Sequence, residues 1–289
     1  MSRPPVGVLG GSGLYRMAGL QGVREERITT PFGDPSDAYV FGTIASRPVV
    51  FLARHGRGHV LMPGEINFRA NVYGFKTLGV ERLISVSAVG SMKDHIAPLD
   101  VVLPDQFIDR THGRKSTFFG DGIVAHVSFA DPVCHDLRGV LSRSAEAAGV
   151  RRHDGGTYLC MEGPQFSTRA ESRAHRTWDV DVIGMTNVQE AKLAREAEIC
   201  YATLAMVTDY DCWKEDEAPV TVEEVVKRLN DNALSAEAIL THAVAQLPEE
   251  RGCACASALG QAILTERNRI PAAAKKRLRA IIGRYLGDA

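Results

Sequence analysis

The sequence predicts an α/β fold: a single domain with a central twisted β-sheet flanked by helices. Short apolar runs rich in β-branched residues alternate along the chain with stretches of helical periodicity. Runs of this kind are Val6–Leu9, Val49–Ala53 and Leu83–Val86, and they lack the regular polar alternation of a half-exposed strand. Strands without this alternation are buried on both faces, so helices are expected on both sides of the sheet.

The other elements follow from the same two patterns. Further strands are predicted at Val101–Leu103, Val182–Met185 and Tyr201–Val207. Helices are predicted, in chain order, at Glu65–Leu78, Pro132–Ala148, Arg169–Trp178, Val188–Glu198 and Thr221–Gln246. The last helix has Thr221 as its N-cap and Glu224 three residues later, which is a capping box. Ligand sites in such sheets lie at the carboxyl ends of the strands, so functional residues are expected there.

Length and composition indicate one large domain with an extension. The chain has 289 residues, 45% of them hydrophobic, which is enough for a core without disulfide bonds. Composition shifts once, at Pro248–Gly252, and a helical stretch, Ala272–Leu286, follows. We therefore predict a main domain over residues 1–248 and a helical C-terminal extension over 249–289. Both a helix packed on its own domain and an arm on a neighbouring subunit fit this pattern.

The charge balance argues against nucleic acids and membranes as partners. Lys and Arg number 34 against 35 Asp and Glu, and the net charge is -1. No stretch approaches the roughly 18 apolar residues of a membrane span. The N-terminus lacks the apolar segment and cleavage site of a secretory signal. The sequence predicts a soluble cytoplasmic protein.

The six cysteines are scattered along the chain, which favours buried free thiols. Cys253-Ala254-Cys255 is the one tight pair, and a disulfide within it stays open as an interpretation. No second Cys or His pair at zinc-ribbon spacing accompanies it, which argues against a metal site. We therefore predict no metal.

Hydrogen-bond donors follow several of the predicted strands. Gly10–Gly13 and Ala53–His59 come after the first two strands, Ser85–Ser91 ends a third, and Gly184–Asn187 ends a fourth. Backbone N–H groups, hydroxyls and a guanidinium in glycine-rich loops suit an oxyanion such as phosphate. Plain tight turns and a solvated basic loop are the alternatives. If these strand ends converge, they form a compact phosphate site.

The last predicted strand ends in an acidic motif, Asp209-Tyr210-Asp211. Two acids two residues apart on an extended strand point the same way. A carboxylate accepts a hydrogen bond from an exocyclic amine and a protonated carboxyl donates one to a ring nitrogen, so the pair suits a 6-aminopurine. The alternatives are an Asx-turn that closes the strand, and a metal site that lacks further ligands nearby.

Together these motifs resemble the trimeric purine nucleoside phosphorylase family, and within it the branch that acts on 5'-methylthioadenosine. The matching stretches, in order and spacing over residues 6–245, are Gly10–Leu14, Thr30–Gly33, Ala53–Arg57, Glu162–Glu171 and Thr208–Lys214. The resemblance implies the family's mixed α/β sheet and inorganic phosphate as co-substrate. It also implies a homotrimer, or a hexamer built as a dimer of trimers, and no organic cofactor.

The same resemblance implies a role for individual residues. The phosphate ligands it implies are Ser12, Arg54, His55, the Ser87 hydroxyl, the Ala88 backbone N–H and Thr186. Met185 would lie against the ribose, and Phe166 would pack on the purine. Family members that use 6-oxopurines carry Glu at the position of Ser167 and Asn at that of Asp209. The residues present here, with Asp211 added, therefore imply a 6-amino base.

The 5' side of the nucleoside is assigned in the same way. Val222 and Val225 lie on one face of the last predicted helix and match positions that face a methylthio group, although ordinary core packing fits their spacing equally. His126 matches a residue contributed by a neighbouring subunit, and His59 is placed near the 5' group.

The resemblance implies phosphorolysis of 5'-methylthioadenosine to adenine and 5-methylthioribose 1-phosphate. A protonated Asp209 would hydrogen-bond N7 of the leaving base while phosphate stabilises an oxocarbenium-like sugar. The nearest alternative is a broader 6-aminopurine phosphorylase that uses adenosine, followed by a methylthioinosine or 6-oxopurine enzyme. A nucleoside-binding regulatory domain and a hydrolase that uses water are the alternatives from other classes.

Overall fold

A computed structural model describes residues 3–11, 14, 17, 19–214 and 222–286, with only the backbone of 222–226. Eleven strands lie in this part of the chain: β1 (Val6–Gly10), β2 (Gln21–Glu26), β3 (Tyr39–Ile44), β4 (Arg47–Ala53), β5 (Arg82–Ser91), β6 (Val101–Leu103), β7 (Gln106–Arg110), β8 (Arg152–Asp154), β9 (Thr157–Met161), β10 (Val182–Gly184) and β11 (Cys200–Asp209). The α-helices described are α1 (Phe68–Thr77), α2 (His135–Ala147), α3 (Arg169–Thr177), α4 (Asn187–Glu196), α5 (Val222–Gln246), α6 (Ala272–Arg277) and α7 (Arg279–Leu286).

All of these strands belong to one mixed sheet, which confirms the predicted fold class. The main strand order is β2-β3-β4-β1-β5-β10-β9-β7, and β11 pairs with β5 and β6. Strand β5 lies at the centre, because it pairs in parallel with β1 and β11 and antiparallel with β10. It therefore connects the two halves of the sheet.

The six predicted strands are confirmed, while β2, β3, β7, β8 and β9 were not predicted. Strand β2 shows why: every residue of Gln21–Glu26 is exposed, so no apolar run marks it. It exists because its backbone pairs with β3 and forms the edge of the sheet. The predicted helices are found with shifted ends, and Thr221, the predicted N-cap of α5, lies outside the described residues.

The C-terminal extension packs on its own domain. Leu259, Ile270, Leu278 and Ile282 are buried in the same apolar cluster as Phe75 of α1. The extension therefore shares a core with the main domain, and the interpretation of it as an arm on a neighbour is not needed. The boundary at residue 248 stays a prediction. None of the helices described is long and apolar enough to cross a membrane.

Candidate active site

The donor-rich segments predicted from the sequence meet at the carboxyl end of β5. Gly10 is the register partner of Ala53, so the loop that begins at Arg54 lies beside the end of β1. Asp209 pairs with Gly90 from the other side. Strand β10 runs antiparallel to β5, with Ile183 opposite Gly90, so the chain that leaves β10 runs back towards Ser87.

Arg54 lies at the base of this site and is 3% exposed. Its Nη1 donates to Val86 O at 2.9 Å, and its Nη2 donates to Leu9 O at 3.0 Å and to Ser85 Oγ at 2.6 Å. Its Nε donates to Glu190 Oε1 at 2.5 Å. Four of the five guanidinium N–H groups thus donate to the protein. Among the residues described, one Nη1 hydrogen has no acceptor.

Glu190 of α4 holds Arg54 in place, a role that was not predicted from the sequence. Its Oε2 accepts hydrogen bonds from Ser85 Oγ at 2.8 Å and from the Tyr201 hydroxyl at 2.9 Å. Burial lowers the pKa of Arg54, but the charge of Glu190, its hydrogen bond and the smaller effects of Tyr201 and Tyr158 together more than offset this, and the net shift is upward. Arg54 therefore stays charged beneath the site.

His55 faces the site as a neutral ring. Its Nδ1 lies 2.8 Å from the Leu61 carbonyl, which only accepts, so Nδ1 carries the proton and Nε2 keeps a lone pair. Burial lowers the pKa of His55 to about 4. His59, which has a φ of 57° and is exposed, stacks on this ring with 4.2 Å between centroids. The two predicted histidines are therefore in contact.

The remaining predicted phosphate ligands line β5 and the start of α4. Ser87 is buried, and its Oγ has no hydrogen-bond partner among the residues described. Ala88 is exposed in an otherwise buried stretch of β5. Thr186 is buried and is the N-cap of α4, whose first N–H groups favour an anion. Ser12 lies outside the described residues.

The acidic motif forms a tight turn, so the expectation that both acids extend from a straight strand is wrong. Strand β11 ends at Asp209, and Asp211 has a φ of 51°. The Asp211 N–H donates to Asp209 Oδ1 at 2.8 Å, and the Thr208 hydroxyl donates to Oδ2 at 2.7 Å. Burial raises the pKa of Asp211, and the charge of Asp209 adds to the increase. The Asx-turn interpretation thus describes the geometry.

The residues predicted to contact the base and the sugar lie around this turn. The Ser167 carbonyl accepts from Cys212 Sγ at 3.3 Å, which places Ser167 beside Asp211. Phe166 is 82% exposed, so its ring is available to a ligand. The Met185 carbonyl accepts from Arg114 Nη1 at 2.6 Å, and Arg114 is a further residue that the sequence did not indicate.

Helix α5 fixes the end of β11 through two side chains that sequence reasoning missed. Arg228 Nη1 donates to Thr208 O and Asn232 Nδ2 donates to Val207 O, both at 2.9 Å. These carbonyls immediately precede Asp209. The side chains of Val222 and Val225, predicted for the 5' group, lie outside the described residues.

The contact given for His126 is with the C-terminal extension and not with the segments described above. It is exposed, and its backbone N–H donates to Ala262 O of the C-terminal extension at 2.9 Å. The structure of a single chain thus leaves this predicted 5'-group residue on the surface.

Comparison with known proteins identifies the family. The model of the family described as the phosphorylase superfamily matches residues 5–245. The chain belongs to this superfamily. The match spans every predicted site residue, and it ends close to the limit of the motif pattern read from the sequence. Membership in the phosphorylase superfamily also agrees with the donor-rich, anion-binding geometry at the end of β5.

Three similar proteins within the phosphorylase superfamily all have methylthioadenosine in their names. S-methyl-5'-thioadenosine phosphorylase of Koribacter versatilis (strain Ellin345) is 60% identical over 98% of this chain and 97% of its own. A methylthioadenosine phosphorylase sourced from an Antarctic soil metagenomic library has a TM-score of 0.93 and 48% identity, over 97% of this chain and 99% of that one. A mutant of adenosine/methylthioadenosine phosphorylase from Schistosoma mansoni, in complex with methylthioadenosine, has a TM-score of 0.78 and 36% identity, over 83% and 90%.

Proposed function

We propose that the chain catalyses the phosphorolysis of 5'-methylthioadenosine to adenine and 5-methylthioribose 1-phosphate. The observation that carries the proposal is the acidic turn at Asp209, which lies one strand from the unpartnered Ser87 hydroxyl on β5. This arrangement supports the assignment of the two carboxyl groups to base binding and of the neighbouring end of β5 to phosphate binding. The similarity to methylthioadenosine phosphorylases supports the choice of nucleoside.

Phosphate is held by neutral donors together with one enclosed cation. The ligands we propose are Ser12, Arg54, His55, the Ser87 hydroxyl, the Ala88 N–H and Thr186. Arg54 contributes the electrostatic attraction of its positive charge and one hydrogen bond from the remaining Nη1 hydrogen, because its other N–H groups are bonded to the protein. His55 Nε2 accepts a hydrogen bond from the hydroxyl of hydrogen phosphate, since its Nδ1–H is bonded to Leu61 O. No organic cofactor is needed.

The reaction requires no covalent nucleophile from the protein. The C1'–N9 bond breaks with its electron pair moving to the purine, and Asp209 delivers a proton to N7. A phosphate oxygen then donates a lone pair to C1' of the oxocarbenium-like sugar and forms the C1'–O bond. Asp211, whose carboxyl is half-buried beside Asp209, allows the pair to share one proton and to accept a hydrogen bond from the exocyclic amine.

The test is the Asp209→Asn variant, assayed for phosphate-dependent release of base from methylthioadenosine and from inosine. Loss of a general acid costs about 10²- to 10⁴-fold, so turnover of methylthioadenosine should fall by at least about 100-fold. Asp94→Asn, which changes a carboxylate whose side chain is 72% exposed, is the matched control. Undiminished turnover in Asp209→Asn would contradict the assignment of Asp209 as the general acid.

A second candidate is a phosphorylase that accepts adenosine as well. The name of the Schistosoma mansoni protein, which covers both nucleosides, favours this alternative. The two candidates differ only in their selectivity for the 5' substituent of the nucleoside. We assign recognition of this substituent to Val222, Val225 and His59. The ratio of kcat/KM for methylthioadenosine to kcat/KM for adenosine distinguishes them. An apolar pocket discriminates against a hydroxyl by about 10²-fold at most, so a ratio near one indicates the broader enzyme and a ratio approaching 10² the narrower one.

We further propose a homotrimer, or a dimer of trimers, in which His126 of one subunit completes the 5' pocket of the next. Its exposure in the single chain supports this role. Mixing the Asp209→Asn and His126→Ala proteins should then restore activity, because some mixed sites combine two intact residues. Mixtures that stay as inactive as their components, despite subunit exchange, argue against the shared site. The six free cysteines support a cytoplasmic location.

A further inference from the structure

Four of the six cysteines form a cluster that plays no part in the proposed reaction. The Sγ atoms of Cys134, Cys200, Cys253 and Cys255 all lie within 4.8 Å of one another. Three of these residues are buried and Cys253 is half-buried. The shortest contact given, between Cys200 Sγ and Cys253 Sγ, is 3.3 Å.

The four residues come from three separate parts of the chain. Cys134 is the N-cap of α2 and Cys200 is the first residue of β11. Cys253 and Cys255 lie in the C-terminal extension, at the start of the 3-10 turn Ala254–Ser257. The sequence argued against a metal because it showed no second pair near Cys253 and Cys255. The fold supplies that pair from distant segments.

The spacing of the sulfurs fits one metal ion better than two disulfide bonds. Zn²⁺ bound by four thiolates has Zn–S distances of about 2.3 Å, which places the sulfurs roughly 3.8 Å apart in a tetrahedron. Two disulfide bonds need an S–S distance of about 2.05 Å within each pair, and they do not require the two pairs to lie close together. Here all four sulfurs are mutually close, and the 3.3 Å contact is well beyond a bond.

Two features of the surroundings favour negative charge at this cluster. Cys134 caps α2, a helix of 13 residues, and the N-terminal end of a helix stabilises a thiolate. Arg82 is the register partner of Cys200, so their side chains share a face of the sheet. Arg82 is buried, donates to the Glu250 carbonyl at 2.8 Å and forms no ion pair with the residues described. Its positive charge is thus on the same face of the sheet as Cys200 and is not paired with a carboxylate of the residues described.

We propose that Cys134, Cys200, Cys253 and Cys255 bind one structural zinc ion. On binding, the four thiols release four protons and form a tetrathiolate with a net charge of 2- around Zn²⁺. All four positions of the tetrahedron are taken by sulfur, so no open position remains for water or substrate.

The site lies at the opposite end of β11 from Asp209. The nine steps from Cys200 to Asp209 span about 30 Å at roughly 3.3 Å per residue. The zinc therefore takes no part in phosphorolysis. Its role is to fasten the C-terminal extension to the start of α2 and to β11.

The test begins with metal analysis of the untagged wild-type protein, because this requires no variant to fold. Inductively coupled plasma mass spectrometry should give one zinc per chain, released when a mercurial reagent blocks the thiols. Replacement by Co²⁺ should give the intense charge-transfer absorption and visible bands of a tetrahedral thiolate site. Removing the metal with a chelator should lower the melting temperature while kcat at low temperature stays unchanged.

The matched variants are Cys255→Ser and Cys160→Ser. Cys160 is also buried, but it lies on β9 away from the cluster. Cys255→Ser should lose zinc and Cys160→Ser should keep it. Zinc well below one per chain in wild type overturns the proposal, whether mass spectrometry then finds four free thiols or two disulfides. Equal zinc content in both variants also overturns it.

Discussion

Arg54 Nε lies 2.5 Å from Glu190 Oε1, and the two side chains are only 3% and 0% exposed. The pair joins the loop after β4 to α4, whose N-terminus faces the proposed phosphate site. Since a buried charge is costly unless it is paired, neither residue can be changed alone without effect on the other. The cation of the proposed phosphate site is therefore held by a residue that need not touch phosphate.

Glu190→Gln should destabilise the protein and raise the KM for phosphate. Removal of one partner from a buried ion pair costs about 3–5 kcal/mol, which urea unfolding will detect. Glu196→Gln, on the same helix, is the control: burial raises the pKa of Glu196 to about 7, so an amide is a milder change there. If Glu190→Gln unfolds at the same urea concentration as wild type, the ion pair does not stabilise the fold.

His55 should make the protein less stable as the pH falls from 7 to 5. Its pKa is lowered by burial from 6.5 to about 4, so in this window the unfolded chain takes up a proton that the folded protein does not. The stability is thus fully present above pH 6.5 and is lost as the pH falls towards 4.

Urea midpoints at pH 7 and pH 5 measure this, compared with His55→Asn and with His135→Asn, whose side chain is 87% exposed in wild type. The pH dependence should shrink in His55→Asn only. An NMR titration of His55 near pH 6.5 would contradict the burial argument.

Gly163→Ala should raise the KM for nucleoside. A Cβ on Gly163, which has a φ of 67°, would lie 2.5 Å from Met185 Sδ and would displace the residue proposed to contact the ribose. Gly149→Ala is the matched control, because Gly149 has a φ of 70° and nothing lies within 4 Å of an added Cβ. Both variants carry the same backbone strain, so equal kinetics in the two would show that the contact with Met185 does not matter.

Arg228→Ala should lower kcat more than it changes the KM for phosphate. Arg228 is a positioning residue that holds the Thr208 carbonyl, next to Asp209, and does not belong to the phosphate ligands. Lys227→Ala, an exposed change one residue away, should leave both constants unaltered. Arg228→Lys should recover part of the loss. A uniform decrease in folded protein, with kcat per active site unchanged, would indicate a purely structural role.

Apolar runs followed by hydrogen-bond donors made much of the proposed phosphate site predictable. Ser87 lies within β5, directly after the apolar run Leu83–Val86, and Thr186 lies between β10 and α4. Their hydroxyls are visible in the sequence beside buried runs. Glu190 was not predictable in this way. It stands in a polar helical stretch where a carboxylate is normally solvated, and only the fold shows that it is fully buried against Arg54.

Distance along the chain explains the other misses. The cysteine cluster could not be found from spacing, because Cys134 and Cys200 are remote from the pair in the extension. The geometry of Asp209 and Asp211 was misjudged for a local reason: the Asp211 N–H bonds to the Asp209 carboxylate, and the strand ends at Asp209, two residues before Asp211.

The central position of β5 has a consequence for biosynthesis. Its partner β11 is made long after it, and Glu190 and Thr186 also follow late in the chain. A nascent polypeptide that already contains Arg54, His55 and Ser87 thus lacks the residues that complete the proposed site. Substrate cannot assist the early stages of folding, and prematurely terminated chains will neither sequester phosphate nor compete for nucleoside. Only a finished polypeptide acquires the capacity to bind.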